Sequence, residues 1–464
     1  MRFYNKYISL FLFAVLFVCF TTVYFSYFPG VYSYDSYFSY SQSLGLIPYM
    51  SGNAPTFTIF WQLFNNANYG PFIANYTLVI IGIVISYRKT RTLIIGNMFL
   101  SFLLLPATLL TYIWVWKDNT LISLLFLAAV IMMPRKNVLT LKWLKVFEVG
   151  FLFIILFFAF SVRLNGVFAI IPVLFYLIYS QINSKVVVSI TTIAFVFCFF
   201  LINQVINKYI YRAQSINFTQ TLMYTDIVKL NYYWNLNVEL PTAFRTTNYA
   251  EPDIKLIMQK YDSFSCNDIL YMANKYYNDE RPIVSGSSDE SDLSMLRAIW
   301  LKTILLHPFD YLDIRWRQLY NALSHNNISL FETFDATRVY DRNASGSVTE
   351  WEIDNKLFNT IRVGYTKLTF QVVDMKTTIG VVSSNLTWFV LNIVSCFLLF
   401  IFRRKQLNQS ALASVISLSG ICYVLGYFPI LPCTDYRYFI WNIASFWLSI
   451  GIFITLYTNN RERK

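Results

Sequence analysis

Six charged side chains stand alone in short, otherwise apolar surroundings: Asp35, Lys117, Asp118, Arg163, Asp435 and Arg437. They are the groups with which this chain can do chemistry. A carboxylate can accept a proton from a hydroxyl as a general base, or orient that hydroxyl. An ammonium or guanidinium can hold an anion, and a guanidinium grips a phosphate bidentately. A charge kept at the edge of hydrocarbon is costly, so each of the six needs a reason to be there. Gln42 and Asn53 follow Asp35 in the same loop, and Asn165 follows Arg163 in Arg163-Leu-Asn165-Gly166. These amides add hydrogen-bonding groups beside the charges.

Each position also has a plainer reading. Asp35 can cap a short interfacial helix. Lys117 and Asp118 can pair with each other, or Asp118 can cap the next helix. Arg163 can anchor a span by snorkelling to the surface. Asp435 and Arg437 can form a local ion pair. Trp114 and Trp116 suit an aromatic belt at a membrane surface.

The surrounding elements must position these groups. The chain has 464 residues, 56% hydrophobic and only 13% charged, with a positive mean hydropathy. Soluble domains carry roughly 25% charged residues, so a mainly α, polytopic membrane helical bundle is expected. A span needs about 20 predominantly apolar residues. Candidate spans are Tyr7–Tyr27, Pro71–Tyr87, Leu93–Tyr112, Thr120–Met133, Val146–Val162, Gly166–Ser180, Val186–Ile206, Ile379–Phe402, Ser410–Phe428 and Tyr438–Thr458, about ten in all. The first is expected to be a retained anchor, since no small-residue cleavage signal follows it. The expected organisation is an N-terminal membrane module over 1–206 with outer loops 28–70 and 112–119. A large extracytoplasmic segment covers 207–378, and a C-terminal membrane module covers 379–464.

Charge sets the expected orientation. Lys and Arg in short loops stay cytoplasmic. Arg2, Lys6, Arg88, Lys89, Arg91, Arg135, Lys136, Lys142, Lys145, Lys185 and Arg403 to Lys405 all fall on one side if both termini are inside. Of the 25 acidic residues, 20 lie between Lys208 and Lys376, in the segment that this orientation places outside. The six isolated charges then gather at the outer ends of spans. The net charge of +12 belongs to this pattern and does not point to nucleic acid, because no dense basic tract exists.

Within the large segment, Leu222 to Leu230 contains Asp226, and Trp300 to Arg317 contains His307 and Arg315. The second stretch mixes apolar and basic positions at helical spacing, as an amphipathic helix on a membrane surface does. Asn278–Asp292 reads as an exposed acidic loop. Cys266 and Cys433 would both face outward, and spacing leaves their pairing open. There is no P-loop, no dinucleotide-binding glycine pattern and no recognisable metal-ligand cluster. Mid-span acids, which proton or sodium relays use, are missing too.

Four motifs together resemble the GT-C superfamily of multi-spanning membrane glycosyltransferases. They are Phe28-Pro-Gly30 with Asp35-Ser36 and Gln42, Lys117-Asp118, Arg163-Leu-Asn165-Gly166, and Asp435-Tyr-Arg437-Tyr438. The likeness covers the membrane part of the chain and is nearest to bacterial members whose first loop carries Pro-Gly, then Asp-Ser, then Gln. Many relatives have His-Pro in the first loop where this chain has Asn53-Ala54-Pro55. The resemblance implies a polyprenyl-phosphate sugar donor and a glycan or lipid-linked acceptor on the outer face of the cell membrane. Asp35 and Asp118 would be catalytic. Lys117, Arg163 and Arg437 would hold the donor phosphate. Gln42, Asn53, Asn165, Asp226, His307, Arg315 and Asp435 are further candidates. No organic cofactor is implied. Some relatives hold a divalent metal between acidic loops, and carboxylates at 35, 118 and 435 leave that open. A polysaccharide polymerase or ligase, and a lipid-linked-sugar flippase, are the alternative functions.

Overall fold

The computed structural model describes residues 2–51, 54–134, 142–182, 184–214, 219–245, 287, 289–324, 339–342, 348–351, 360–365, 384–405, 410–431 and 435–461. Asn53, Cys266, Cys433 and most of the 278–292 stretch lie outside them. The described chain is mainly helical, with one short antiparallel pair, Val339–Arg342 against Val348–Trp351. It divides into two compact units. One comprises Met1–Gln214, Ile328–Leu425 and Tyr436–Lys464; the other comprises Ser215–Asn327 and Gly426–Asp435.

Among the described residues, five helices are long and apolar enough to cross a membrane: Tyr7–Ser26, Gly70–Thr90, Lys185–Ile210, Ser410–Tyr427 and Tyr436–Thr458. The chain therefore has the make-up of a membrane protein. Of the other five expected spans, three correspond to shorter apolar helices, Val146–Val162, Leu164–Tyr179 and Asn385–Ile401, and two take a different form. The run Leu93–Tyr112 is two helices, Ile94–Leu103 and Pro106–Tyr112, bent by 83°. Pro106 offers no backbone N–H, and Leu105 before it is held out of helical geometry (φ −58°, ψ 130°).

The run Thr120–Met133 lies on the helix Lys117–Ile131, which has 15 residues and is therefore about 22 Å long. Every residue from Asp118 to Ile131 is buried. A helix buried all round is either a core helix or a span enclosed by other helices. It packs against Gly70–Thr90, Lys142–Val162 and Ile440–Arg461. Its apolarity reflects protein on every side, whereas the first helix, Arg2–Ser26, leaves Phe11, Val18 and other large side chains exposed.

Ion pairs bracket this central helix. At its N-terminal end, Arg163 Nη1 donates to Asp118 Oδ2 at 2.8 Å. At its C-terminal end, Lys89 Nζ donates to the carbonyls of Ile131 and Met133 and to Glu148 Oε1. An acid at the first turn and a cation at the last carbonyls both suit the helix dipole. The Lys89 side chain is only 6% exposed, so this cation in the last turn of Gly70–Thr90 is a staple in the fold. Removing one partner of a buried pair leaves the other uncompensated. Lys89→Met is expected to lower stability by about 3 kcal/mol, read as a drop in the thermal midpoint of the purified protein in detergent.

The first loop is fixed onto the segment ahead of the central helix. Val31 N donates to Ile113 O at 3.1 Å, and Val115 N donates to Val31 O at 2.9 Å. Gly30 makes this approach feasible. Its φ is +106°, and a Cβ there would lie 2.7 Å from Val115 Cγ2 and 3.0 Å from a Phe72 ring carbon. Gly30→Ala is expected to cost about 2 kcal/mol or more, from left-handed backbone strain and overpacking together. Protease protection of the 31–35 stretch would fall with it. Unchanged protection would mean that the loop is held by something else.

Candidate functional site

Two short elements and one helix start deliver the charged groups. Ser33 caps the helix Tyr34–Ser43: its Oγ accepts from Ser36 N at 3.3 Å, and Ser36 Oγ accepts from Ser33 N at 3.2 Å. The cap is thus Ser33, and the capping role considered for Asp35 is corrected. Asp35 sits in the first turn, where a carboxylate suits the helix dipole and its side chain stays available. Ser36 and Ser39 share its face of the helix. Phe57 arrives on the turn Pro55–Thr58, which Thr56 Oγ1 ties to Ser161 O at 2.8 Å.

Arg437 comes from the 3-10 turn Tyr436–Phe439. Its Nη1 donates to Asp35 Oδ2 at 3.0 Å across 402 residues of sequence. Its guanidinium carbon lies 4.7 Å from the Trp116 ring centre and 5.3 Å from the Tyr438 ring centre. Arg163 lies 5.0 Å from the other partner of that stack, the Tyr438 ring. Trp116 is buried, stacks on Trp114 at 4.9 Å, and donates from Nε1 to Ser33 Oγ at 2.7 Å. Trp116 therefore lines the site, and neither tryptophan faces outward: both are buried, stacked on each other, with the Arg437 cation over Trp116.

Asp35, Ser36, Ser39, Phe57, Val115, Trp116, Lys117, Asp118 and Arg437 line one shallow, open recess. Asp118 is 1% exposed and pairs with Arg163, not with Lys117. Its second oxygen, Oδ1, is buried with no hydrogen-bond partner among the described residues. Lys117 is half-buried and makes no hydrogen bond or ion pair at contact distance among the described residues.

The electrostatics follow from this layout. Desolvation pushes the Asp35 carboxyl up, but Arg437, then Lys117 and Arg163, more than offset it, so Asp35 ionises below the usual carboxylate range. Its side chain keeps 48% of its exposure because the recess is open above it, while protein crowds it from the sides. Desolvation and the nearby Arg163 pull Lys117 down to about 8, with Asp35 and Asp118 resisting. The recess thus gathers two acidic side chains and, with Arg163 behind Asp118, three basic ones.

The remaining sequence candidates lie elsewhere. Gln42 is buried and donates from Nε2 to Pro48 O at 3.2 Å, closing the turn after its helix. Asn165 is half-buried in the turn after Arg163, outside the recess lining. Asp226 and Arg315 belong to the second unit, where they pair with each other and Asp226 also accepts from Trp300 Nε1 at 2.9 Å. His307 Nδ1 lies 3.3 Å from Asp310 Oδ2. Asp435 is buried and is grouped with the second unit. Ser33, Ser39, Phe57, Trp116 and Tyr438 were not anticipated as site residues; only the Ser33-Tyr-Asp-Ser36 capping pattern hinted at one of them.

Among the described residues no three acidic, histidine or cysteine side chains come together, and both recess carboxylates already hold arginines. The recess favours an anion, by its three basic side chains against two acidic ones and by Lys117. No protein-family model, curated protein or solved structure matches the chain.

Proposed function

We propose that this protein is a membrane glycosyltransferase that moves a sugar from a polyprenyl-phosphate donor to a glycan or lipid-linked acceptor on the extracytoplasmic face. The observation that carries the reading is the recess where Asp35, Lys117, Asp118 and Arg437 meet, backed by Arg163. It combines a solvent-reaching carboxylate with Lys117, a cation that has no contact-distance partner among the described residues.

The chemistry is a displacement at the anomeric carbon. Asp35 accepts the proton of the acceptor hydroxyl as its oxygen forms the new bond to that carbon. The bond from the carbon to the phosphate oxygen breaks, and its electron pair leaves on the phosphate. Lys117 and Arg437 stabilise the charge that develops there. Asp118, locked by Arg163, orients the acceptor or donor through its unpaired Oδ1. Ten spans with both termini cytoplasmic would put this recess outside, in keeping with the basic loops on the opposite side.

The test is inactivation in the native host followed by surface-glycan analysis. Loss of one sugar with chain length retained supports the transferase. Shortened chains point to a polymerase, and accumulated donor with no transfer defect in open membranes points to a flippase. Reporter fusions at Asn278 and Asn408 should report outside and inside; the reverse would put the recess on the wrong face.

A further inference from the structure

The second unit carries a helical hairpin with two apolar faces. Its arms are Glu290–Leu306 and Pro308–Ser324. The inner face is used: Leu293 and Leu296 pack with Met223 and Ile227, and Gln318 and Arg315 both donate to Leu431 O. The outer face is not. Leu305, Leu306 and Phe309, at the corner, are 79%, 64% and 82% exposed. Leu312, Trp316 and Tyr320 continue the exposed stripe along the second arm at helical spacing. An exposed apolar patch of this kind marks an interaction site.

We infer that this corner dips into the surface of the lipid bilayer, with the hairpin arms rising out of it. Three observations select lipid as the occupant. The acids at the corner have basic neighbours, Asp310 beside His307 and Asp313 beside Arg317, whereas Asp289, Glu290 and Asp292 sit at the start of the first arm, about 25 Å from the corner. Lys302, exposed and one turn from the corner, is placed to meet lipid phosphates, and Arg317, also exposed, pairs with Asp313. Phe309 is at the tip, with Trp316 and Tyr320 progressively further from it, the order in which an interface grades from acyl chain to headgroup. The bilayer is also close at hand. The apolar helix Lys185–Ile210 ends only a few residues before the unit begins at Ser215, so the local concentration of membrane is high.

The test uses the full-length protein in nanodiscs of neutral and anionic phospholipid. Single cysteines are introduced as Ser294→Cys, Phe309→Cys, Trp316→Cys and Tyr320→Cys, with the six native cysteines replaced by serine. Each is spin-labelled, and its collisions with oxygen and with a water-soluble nickel complex are compared. The ratio of oxygen to nickel collisions should fall from 309 through 316 and 320 to 294. A label at 309 no more lipid-accessible than one at 294 overturns the inference. Because the cysteine-free chain can fail to fold, the unaltered protein is also irradiated with a phospholipid bearing a photoreactive acyl chain. Labelled peptides should contain residues 305–309. Absence of label there, or a crosslink joining two copies through this corner, overturns it as well.

Discussion

Asp35→Asn is expected to lower sugar transfer by about 10²- to 10⁴-fold, the usual contribution of a positioned general base. Asparagine keeps the shape and cannot take the acceptor proton. Arg437 loses its 3.0 Å carboxylate contact but keeps the Trp116 and Tyr438 rings beneath it, so the wall of the site should stand. The effect should appear in kcat as well as in kcat/KM, since the proton moves in the transition state. The measurement is transfer from a radiolabelled polyprenyl-phosphate sugar by purified protein, alongside its thermal midpoint. A midpoint within error of the parent, with activity also retained, would remove Asp35 from the chemistry.

The second large effect is a pH limb. Lys117 is held at about 8 by desolvation and by Arg163. It carries its charge below that pH and loses it above. If the charged form holds the donor phosphate, kcat/KM should fall about tenfold per unit as pH rises beyond 8. A bound phosphate favours the charged form, so the limb in kcat should lie higher. Lys117→Arg should carry its charge to higher pH and remove the limb, though the fork fits the site differently and the rate will be lower. Shared limbs in the parent and Lys117→Arg would assign the titration to another group.

Stability separates a ligand-binding lysine from a structural one. Because the folded state depresses this lysine, the unfolded chain binds more protons in the window from about 8 up to the ordinary lysine value. Lys117 therefore opposes folding fully at pH below 8, and the opposition fades as pH rises. Lys117→Met should raise the thermal midpoint at pH 7 while abolishing transfer. A lowered midpoint would mean that the fold depends on the ammonium.

The amino-acid order alone determined that the chain is helical and apolar enough for a membrane. It also determined that its few isolated charges fall in short loops between apolar runs. Both follow from local solvation, which each residue and its near neighbours set. It could not distinguish a helix apolar for lipid from one apolar for core, because both read as the same run. Only packing revealed that Lys117–Ile131 is wrapped by protein. Pairing was equally beyond reach. Asp35 has Arg437 as its partner and Asp118 has Arg163, and those contacts depend on how distant segments close on one another. The role of Trp116, joining Ser33 to the Arg437 stack, belongs to the same class of long-range contact. Tertiary structure decided the partners because Coulomb and cation–π energies fall with distance in space, and separation along the chain says little about that distance.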